Sequence, residues 1–156
     1  MTPCLRVRRW PVVKVTNILA TKGSVVATIA PDATVERAAQ RLRAANVGAL
    51  VVSIDEKHLK GLITERDIVY GLGKHGRALL EMKVREVMRQ GGPTCSSEDT
   101  VEHVMRQMTR LRVRHVPVID RGELRGIVSI GDVVKNRLDE TEREVHVLRD
   151  IYLARG

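Results

Sequence analysis

The chain has 156 residues, enough for a compact domain with a core of its own, and its 43% hydrophobic and 29% charged residues are typical of a globular protein rather than a disordered one. The net charge of +8 favours polyanionic partners such as nucleotides, although scattered arginines are more often a solvated surface. With no Phe, one Trp and two Tyr, the chain lacks the aromatic platforms on which single-stranded nucleic acid stacks.

Membrane and redox signals are also weak. No apolar run approaches the length of a membrane span, and no secretory signal opens the sequence. The two cysteines, Cys4 and Cys95, are expected to be unpaired thiols in a reducing compartment. We therefore expect a cytoplasmic protein with no membrane partner.

The first half of the chain begins with a basic segment that has no periodicity. Residues 1–14 are expected to be a disordered extension, and the sequence leaves open whether they belong to the natural product. The elements predicted after it are a helix over 15–22, an extended segment over 25–29, a helix over 34–45, a buried strand over 47–54, a strand over 62–64 and a helix to about 72. Thr34 is the predicted N-cap of the second helix, and Asn46 ends it.

The second half repeats this plan after a predicted linker helix from Leu79 to Met88. It should contain an extended segment over 94–96, a helix over 101–111 capped by Thr100, strands over 113–119 and 124–129, and a helix that Asp132 opens. The residues expected to face inward from the capped helix are Val101, Val104, Met105, Met108 and Leu111, the methionines as core filling. A charged C-terminal helix, 144–156, carries an apolar stripe of Val145, Leu148 and Tyr152 that could dock on the body or on a second subunit.

The two halves are an internal repeat. Residues 34–36 match residues 100–102, both reading Thr-Val-Glu, and the heptad Gly61 to Asp67 matches Gly126 to Asp132. Each heptad reads as a strand that ends on a hydroxyl residue and turns into a helix whose first turn holds an aspartate. Such a carboxylate can accept both protons of a ribose cis-diol, and the helix N-terminus offers N–H groups to a phosphate.

This repeated Gly-x-x-Thr/Ser-x-x-Asp signature resembles that of the cystathionine β-synthase (CBS) domain. The central strands, 47–52 and 114–120, also match the pattern of that family. The resemblance implies an α/β fold of two tandem β-α-β-β-α repeats, packed with pseudo-two-fold symmetry into one Bateman module. The first repeat would span residues 15–78 and the second 79–143. It also implies that an adenosine ligand binds in clefts between the repeats.

The resemblance assigns residues to two such clefts. One would be formed by Thr28, Ile29, Ala33, Val47, Gly48 and Ala49, which surround adenine, with Ser129, Gly131 and Asp132 at the ribose and phosphate. The other would be formed by Thr94, Cys95, Val113, Arg114 and His115, with Thr64, Arg66 and Asp67. For the two aspartates, a plain helix-capping role is the simpler alternative.

Basic residues distinguish the two copies. Arg112, Arg114 and His115 stand where the first repeat has neutral residues, and arginine suits bidentate phosphate contact. Surface charge is the alternative for these residues. The difference predicts that the clefts differ in affinity or in the number of phosphates they accept.

Three functions are compared. The first is a non-catalytic regulatory module that binds AMP, ATP or NAD(H), forms a homodimer and signals to an unknown effector protein. An enzyme is not expected, because the five histidines show no metal-ligand spacing and no phosphate-loop lysine or nucleophile elbow is present. A nucleic-acid-binding or purely structural dimerisation protein is the alternative, suggested by charge alone. The sequence does not name the ligand, and AMP is the one we expect first.

Overall fold

The computed structural model describes residues 12–153. Most of the predicted disordered extension therefore lies outside the described residues, as does Cys4. The helices are α1 (Val15–Lys22), α2 (Val35–Ala45), α3 (Glu65–His75), α4 (Val84–Val87), α5 (Val101–Leu111) and α6 (Ile130–Leu153). The strands are β1 (Thr28–Ile29), β2 (Ala49–Val52), β3 (Gly61–Thr64), β4 (His115–Asp120) and β5 (Glu123–Ser129).

The two halves share one strand plan, as the repeat predicts. In the first half, β1 runs parallel to β2, and β2 pairs antiparallel with β3. In the second half, β4 pairs antiparallel with β5, and an isolated parallel bridge joins Cys95 to Val118 where the first half has β1. Because β2 is buried along its whole length, its nearly continuous apolar sequence is explained. Its predicted bounds of 47–54 were too wide, since β2 spans only Ala49–Val52 and Ile54 beyond it is 72% exposed.

Helices α2 and α5 begin and end as the sequence predicts. The hydroxyls of Thr34 and Thr100 accept hydrogen bonds from the third residue of each helix. Asn46 and Arg112 end the helices in the left-handed conformation, with φ of 52° and 54°. The prediction that Leu111 faces inward is wrong, because it lies in the last turn and is 45% exposed.

Each half completes its core with a helix from the segment that precedes the other half. Val15 and Ile18 of α1 pack with the core of the second half around Met108 and Val116. Val84 of α4 packs with the core of the first half around Leu50. The two repeats are therefore interlocked through their leading segments, and neither core is complete without the other repeat's helix.

The predicted linker helix from Leu79 to Met88 is wrong. The chain instead forms a 3-10 helix, Gly76–Glu81, and then α4 after a break at Met82 and Lys83. The break has a cause in the first repeat: the backbone N–H of Val35 donates to the carbonyl of Met82 at 2.9 Å, and that of Val84 donates to Ala33 at 2.8 Å. These bonds hold the chain extended against the start of α2.

One continuous helix closes the described chain. Helix α6 runs through the predicted boundary between the second repeat and the C-terminal helix. Val145, from the predicted apolar stripe, is 52% exposed, whereas the side chains of Leu148 and Tyr152 are not among those described. Over residues 12–153, no helix is long and apolar enough to cross a membrane.

Candidate functional site

The two signature heptads adopt the same local geometry at the strand-to-helix turns. In the first, the Oδ2 atom of Asp67 accepts hydrogen bonds from the backbone N–H of Thr64 at 2.9 Å and from its hydroxyl at 2.6 Å. In the second, Oδ2 of Asp132 accepts the same two bonds from Ser129 at 2.7 and 2.8 Å. Each carboxylate therefore fixes the first turn of its helix and is itself held in place at the strand-to-helix turn.

A cation from the opposite leading segment binds each signature aspartate. Nε of Arg89 donates to Oδ1 of Asp67 at 2.5 Å, and Nζ of Lys22 donates to Oδ2 of Asp132 at 2.6 Å. Lys22 also donates to the carbonyl of Ile127 at 3.2 Å. Neither Lys22 nor Arg89 was predicted as a site residue from the sequence, although each stands just before a glycine turn that opens a repeat.

The first cleft lies beside Thr64 and has a volume of about 110 Å³. It gathers five of the eight residues assigned to the Asp67 cleft, Thr64, Arg66, Val113, Arg114 and His115, with Gly48, Leu62, Glu65, Arg89, Gly92, Pro93 and Arg112. Four arginines thus face one cleft whose lining includes a single acidic residue. Their charge makes the cleft suited to an anion that carries several negative groups.

The other three assigned residues do not line this cleft. Asp67 is 8% exposed and lies behind the cleft wall, reached through Arg89 and Thr64. Thr94 is exposed, whereas Cys95 is buried and pairs with β4. Burial raises the pKa of the Cys95 thiol to about 12, and the carboxylates of Asp99 and Asp120 add to the shift. Cys95 is therefore a core residue with an unreactive thiol.

The residues assigned to the Asp132 cleft are not brought together in one place. Asp132 lines a cleft of about 180 Å³ between α1 and α6, with Lys22, Lys135 and Asp139 among its neighbours. Val47 and Gly48 line a separate groove between α2 and α3. Ser129 at the end of β5 donates two hydrogen bonds to Asp132, and Gly131 precedes Asp132 in the first turn of α6. The remaining assigned residues do not line the Asp132 cleft: Thr28, Ile29, Ala33 and Ala49.

His115 lies where the two halves meet. A Cβ added at Gly48 would stand 3.2 Å from Cε1 of the imidazole, so the absence of a side chain at position 48 lets His115 approach the first repeat. Burial lowers the pKa of His115, Lys22 and Arg114 lower it further, and the carboxylates of Glu65 and Asp132 oppose the shift. The imidazole is therefore neutral near pH 7 and can accept or donate a hydrogen bond at the cleft.

The carboxylate of Asp132 stays charged despite its partial burial. Burial raises its pKa, but the hydrogen bonds from Lys22 and Ser129 outweigh that effect and leave the pKa below the usual value for aspartate. Because the side chain is 20% exposed, it presents negative charge to the α1–α6 cleft.

Comparison with known proteins identifies the class of protein that this fold and this signature define. The sequence matches the CBS domain twice, over residues 15–74 and 84–139. The chain therefore belongs to the CBS domain family and carries two CBS repeats of mixed helix and strand, as the signature predicts.

The relatives are similar over most of their length. The CBS domain-containing protein YhcV of Bacillus subtilis is 33% identical over 126 residues, which are 78% of this chain and 86% of YhcV. The crystal structure of the CBS-domain containing protein ATU1752 of Agrobacterium tumefaciens is 40% identical, with a TM-score of 0.77 over 80% of this chain and 99% of ATU1752. The CBS domain pair of MJ0100, solved with 5-methylthioadenosine and S-adenosyl-L-methionine, shares the fold at 24% identity and a TM-score of 0.74 over 83% of this chain and 99% of that one.

Proposed function

We propose that this protein is a non-catalytic regulatory module that binds an adenosine nucleotide between its two CBS repeats. AMP and ATP are the first candidates, and NAD(H) is a further one. The observation that carries the proposal is a cleft lined by the Thr64 hydroxyl and four arginines, with the buried carboxylate of Asp67 hydrogen-bonded to two of the lining residues, Thr64 and Arg89. Occupancy of the cleft would be passed to a partner protein.

Each part of a nucleotide has a chemical counterpart in this cleft or directly beside it. Asp67 can accept the hydroxyl protons of ribose, with Thr64 beside it. Arg112 and Arg114 can bind phosphate oxygens, and guanidinium groups do so in a bidentate manner. Leu62, Val113 and Pro93 provide an aliphatic wall for a flat base. The CBS domain pair of MJ0100, which shares this fold, was solved with two adenosyl ligands.

A second copy of the chain is the proposed first partner. Helix α3 presents Val69, Tyr70 and Leu72 to solvent, with 63%, 66% and 51% of their surface exposed. Three large apolar side chains within four residues of one helix suit burial against another protein. Nucleotide binding at the N-terminus of the same helix could then reach this surface, and an effector would respond to the dimer.

The test is isothermal titration calorimetry with AMP, ATP and NADH on the wild type and on Asp67→Ala and Asp132→Ala. We expect Asp67→Ala to lose at least tenfold in affinity for the nucleotide that binds, because ribose loses its charged acceptor. Circular dichroism checks the fold, since the change also removes the cap of α3.

Asp55→Ala is the matched control. Asp55 also accepts hydrogen bonds in a turn, from Ser53, Lys57 and His58. This turn follows the C-terminal end of β2, whereas Gly48, which lines the cleft, precedes the N-terminal end. It should bind nucleotide as the wild type does. The proposal is overturned if no nucleotide binds to folded wild-type protein, or if Asp67→Ala and Asp55→Ala behave alike.

A further inference from the structure

Arg89 contacts two different elements of the first repeat: its backbone pairs with β3, and its side chain binds Asp67. The N–H of Arg89 donates to the carbonyl of Leu62 at 2.8 Å, and the N–H of Leu62 donates to the carbonyl of Arg89 at 3.0 Å. This pair of bonds fixes the backbone against β3. The side chain is 46% exposed, so the guanidinium can change partners through its own torsions while the backbone stays in place.

The partner that Arg89 has in the structure is the carboxylate that the proposed ribose would need. Oδ2 of Asp67 already accepts two bonds from Thr64, and Oδ1 accepts from Arg89. A carboxylate has about four acceptor positions, and the carboxylate of Asp67 is only 7% exposed. A ribose hydroxyl approaching from the cleft therefore competes with the guanidinium for Oδ1.

Moving Arg89 away from Asp67 is unfavourable because a buried carboxylate loses its charged partner. A new ion pair between the guanidinium and another anion can offset this cost. A nucleoside offers no such anion. A nucleotide does, since its phosphates would lie in a cleft that Arg89 itself lines together with Arg66, Arg112 and Arg114.

We propose that Arg89 is a switch that exchanges Asp67 for the phosphate of the ligand, which makes this cleft selective for nucleotides over nucleosides. This inference rests on the proposed function of the same cleft. Ribose binding and phosphate binding become coupled: the phosphates draw the guanidinium away, and the freed Oδ1 accepts the ribose hydroxyl. Nucleosides are rejected because they compete with Arg89 for Asp67 and carry no phosphate with which the guanidinium could pair.

The other signature aspartate offers an internal comparison. Lys22 binds Asp132 and is also held by the carbonyl of Ile127. Among the described residues, the surrounding cleft is lined by two lysines and two aspartates and by no arginine, so the charges of these lining residues balance. We therefore assign this selectivity for nucleotides over nucleosides to the Arg89 cleft alone.

The experiment is calorimetric titration of adenosine and of ATP into Arg89→Met, made in an Asp132→Ala background so that one cleft reports. Freed from competition, Asp67 should bind adenosine about tenfold more tightly. ATP should bind about tenfold more weakly, because one guanidinium contact with phosphate is lost. The preference for ATP over adenosine, expressed as the ratio of their affinities, thus falls by about a hundredfold.

Arg106→Met is the matched control, since Arg106 also pairs with a carboxylate, that of Glu102 at 2.6 Å, but on the exposed surface of α5. It should leave both affinities unchanged. Arg89→Gln, neutral and closer to arginine in shape, repeats the test if the methionine variant does not fold.

The outcomes separate this inference from the proposed function. Equal loss of adenosine and ATP affinity in both Arg89 variants assigns Arg89 a structural role and overturns the switch alone. A loss for ATP with no gain for adenosine makes Arg89 a simple phosphate ligand and also overturns it. Failure of every nucleotide to bind the wild type overturns the proposed function, and the switch with it.

Discussion

The contact between β3 and the backbone of Arg89 allows a sharp prediction at Gly61. A Cβ added at Gly61 would lie 2.6 Å from the carbonyl oxygen of Arg89 and 3.0 Å from Sδ of Met88. The methionine can move, but the carbonyl belongs to the backbone that pairs with Leu62. Gly61→Ala must therefore push β3 away from the segment that carries Arg89.

The expected loss of stability follows from two contributions. Overpacking of a fixed contact costs about 1–3 kcal/mol, and weakening the paired backbone hydrogen bonds adds roughly 1 kcal/mol. Gly61→Ala should therefore lower the free energy of unfolding by about 2–4 kcal/mol. For a domain of this size, that loss lowers Tm by about 5–15 °C.

Urea and thermal unfolding followed by circular dichroism measure the effect, with Gly73→Ala as the control. Gly73 lies on the exposed side of α3, and nothing stands within 4 Å of its added Cβ. That change should stabilise the protein by up to about 1 kcal/mol, because alanine favours a helix over glycine. Wild-type stability in Gly61→Ala, or equal effects in the two variants, would refute the close contact between β3 and Arg89.

Three further predictions test the core and the inter-repeat region. Met108→Ala should lower the free energy of unfolding by about 2–5 kcal/mol in urea denaturation, since Met108 is 1% exposed in the second core; a loss of less than about 1 kcal/mol would contradict that placement. Cys95 should resist iodoacetamide at pH 8 until the protein unfolds, because its thiol has a pKa of about 12, and rapid labelling of its peptide in the folded state would contradict its burial. The pKa of His115 is lower in the folded protein, so the unfolded chain binds its proton more readily, and stability should fall as the pH drops from 7.5 through about 6.5 to 5.5. His115→Gln should flatten that pH dependence, and an unchanged slope would exclude this histidine as its source.

The regular elements could be predicted because their signals are local. Thr34 and Thr100 cap their helices through side chains that contact the next turn, and Asn46 stops α2 with its own backbone conformation. The repeated heptads likewise revealed the strand-to-helix turns and the family. Each of these signals lies within a few residues of the feature it predicts.

The interlocking of the repeats could not be read in this way. Nothing local in residues 79–88 shows that Val35 and Ala33 will hold Met82 and Val84 extended, because those partners lie about fifty residues away in the chain. The same long-range exchange places α1 in the core of the second half. A helical pattern was therefore extended through a break that tertiary contacts impose.

The candidate site was predictable in part for the same reason. Thr64 and Asp67 belong to one turn, and their pairing follows from the spacing of the heptad. Arg89 comes from the other leading segment and reaches Asp67 only through the interlocked fold. The Asp132 assignments rested on resemblance, and the structure places Asp132 and Val47 at different clefts.

A crystal structure of the protein with ATP bound would test the central claim most directly. We expect nucleotide density in the cleft beside Thr64, with a ribose hydroxyl on Asp67, phosphates on Arg114 and the guanidinium of Arg89 turned toward the phosphates. Density for the nucleotide outside this cleft, or a ribose directed away from Asp67, would contradict the proposed nucleotide site.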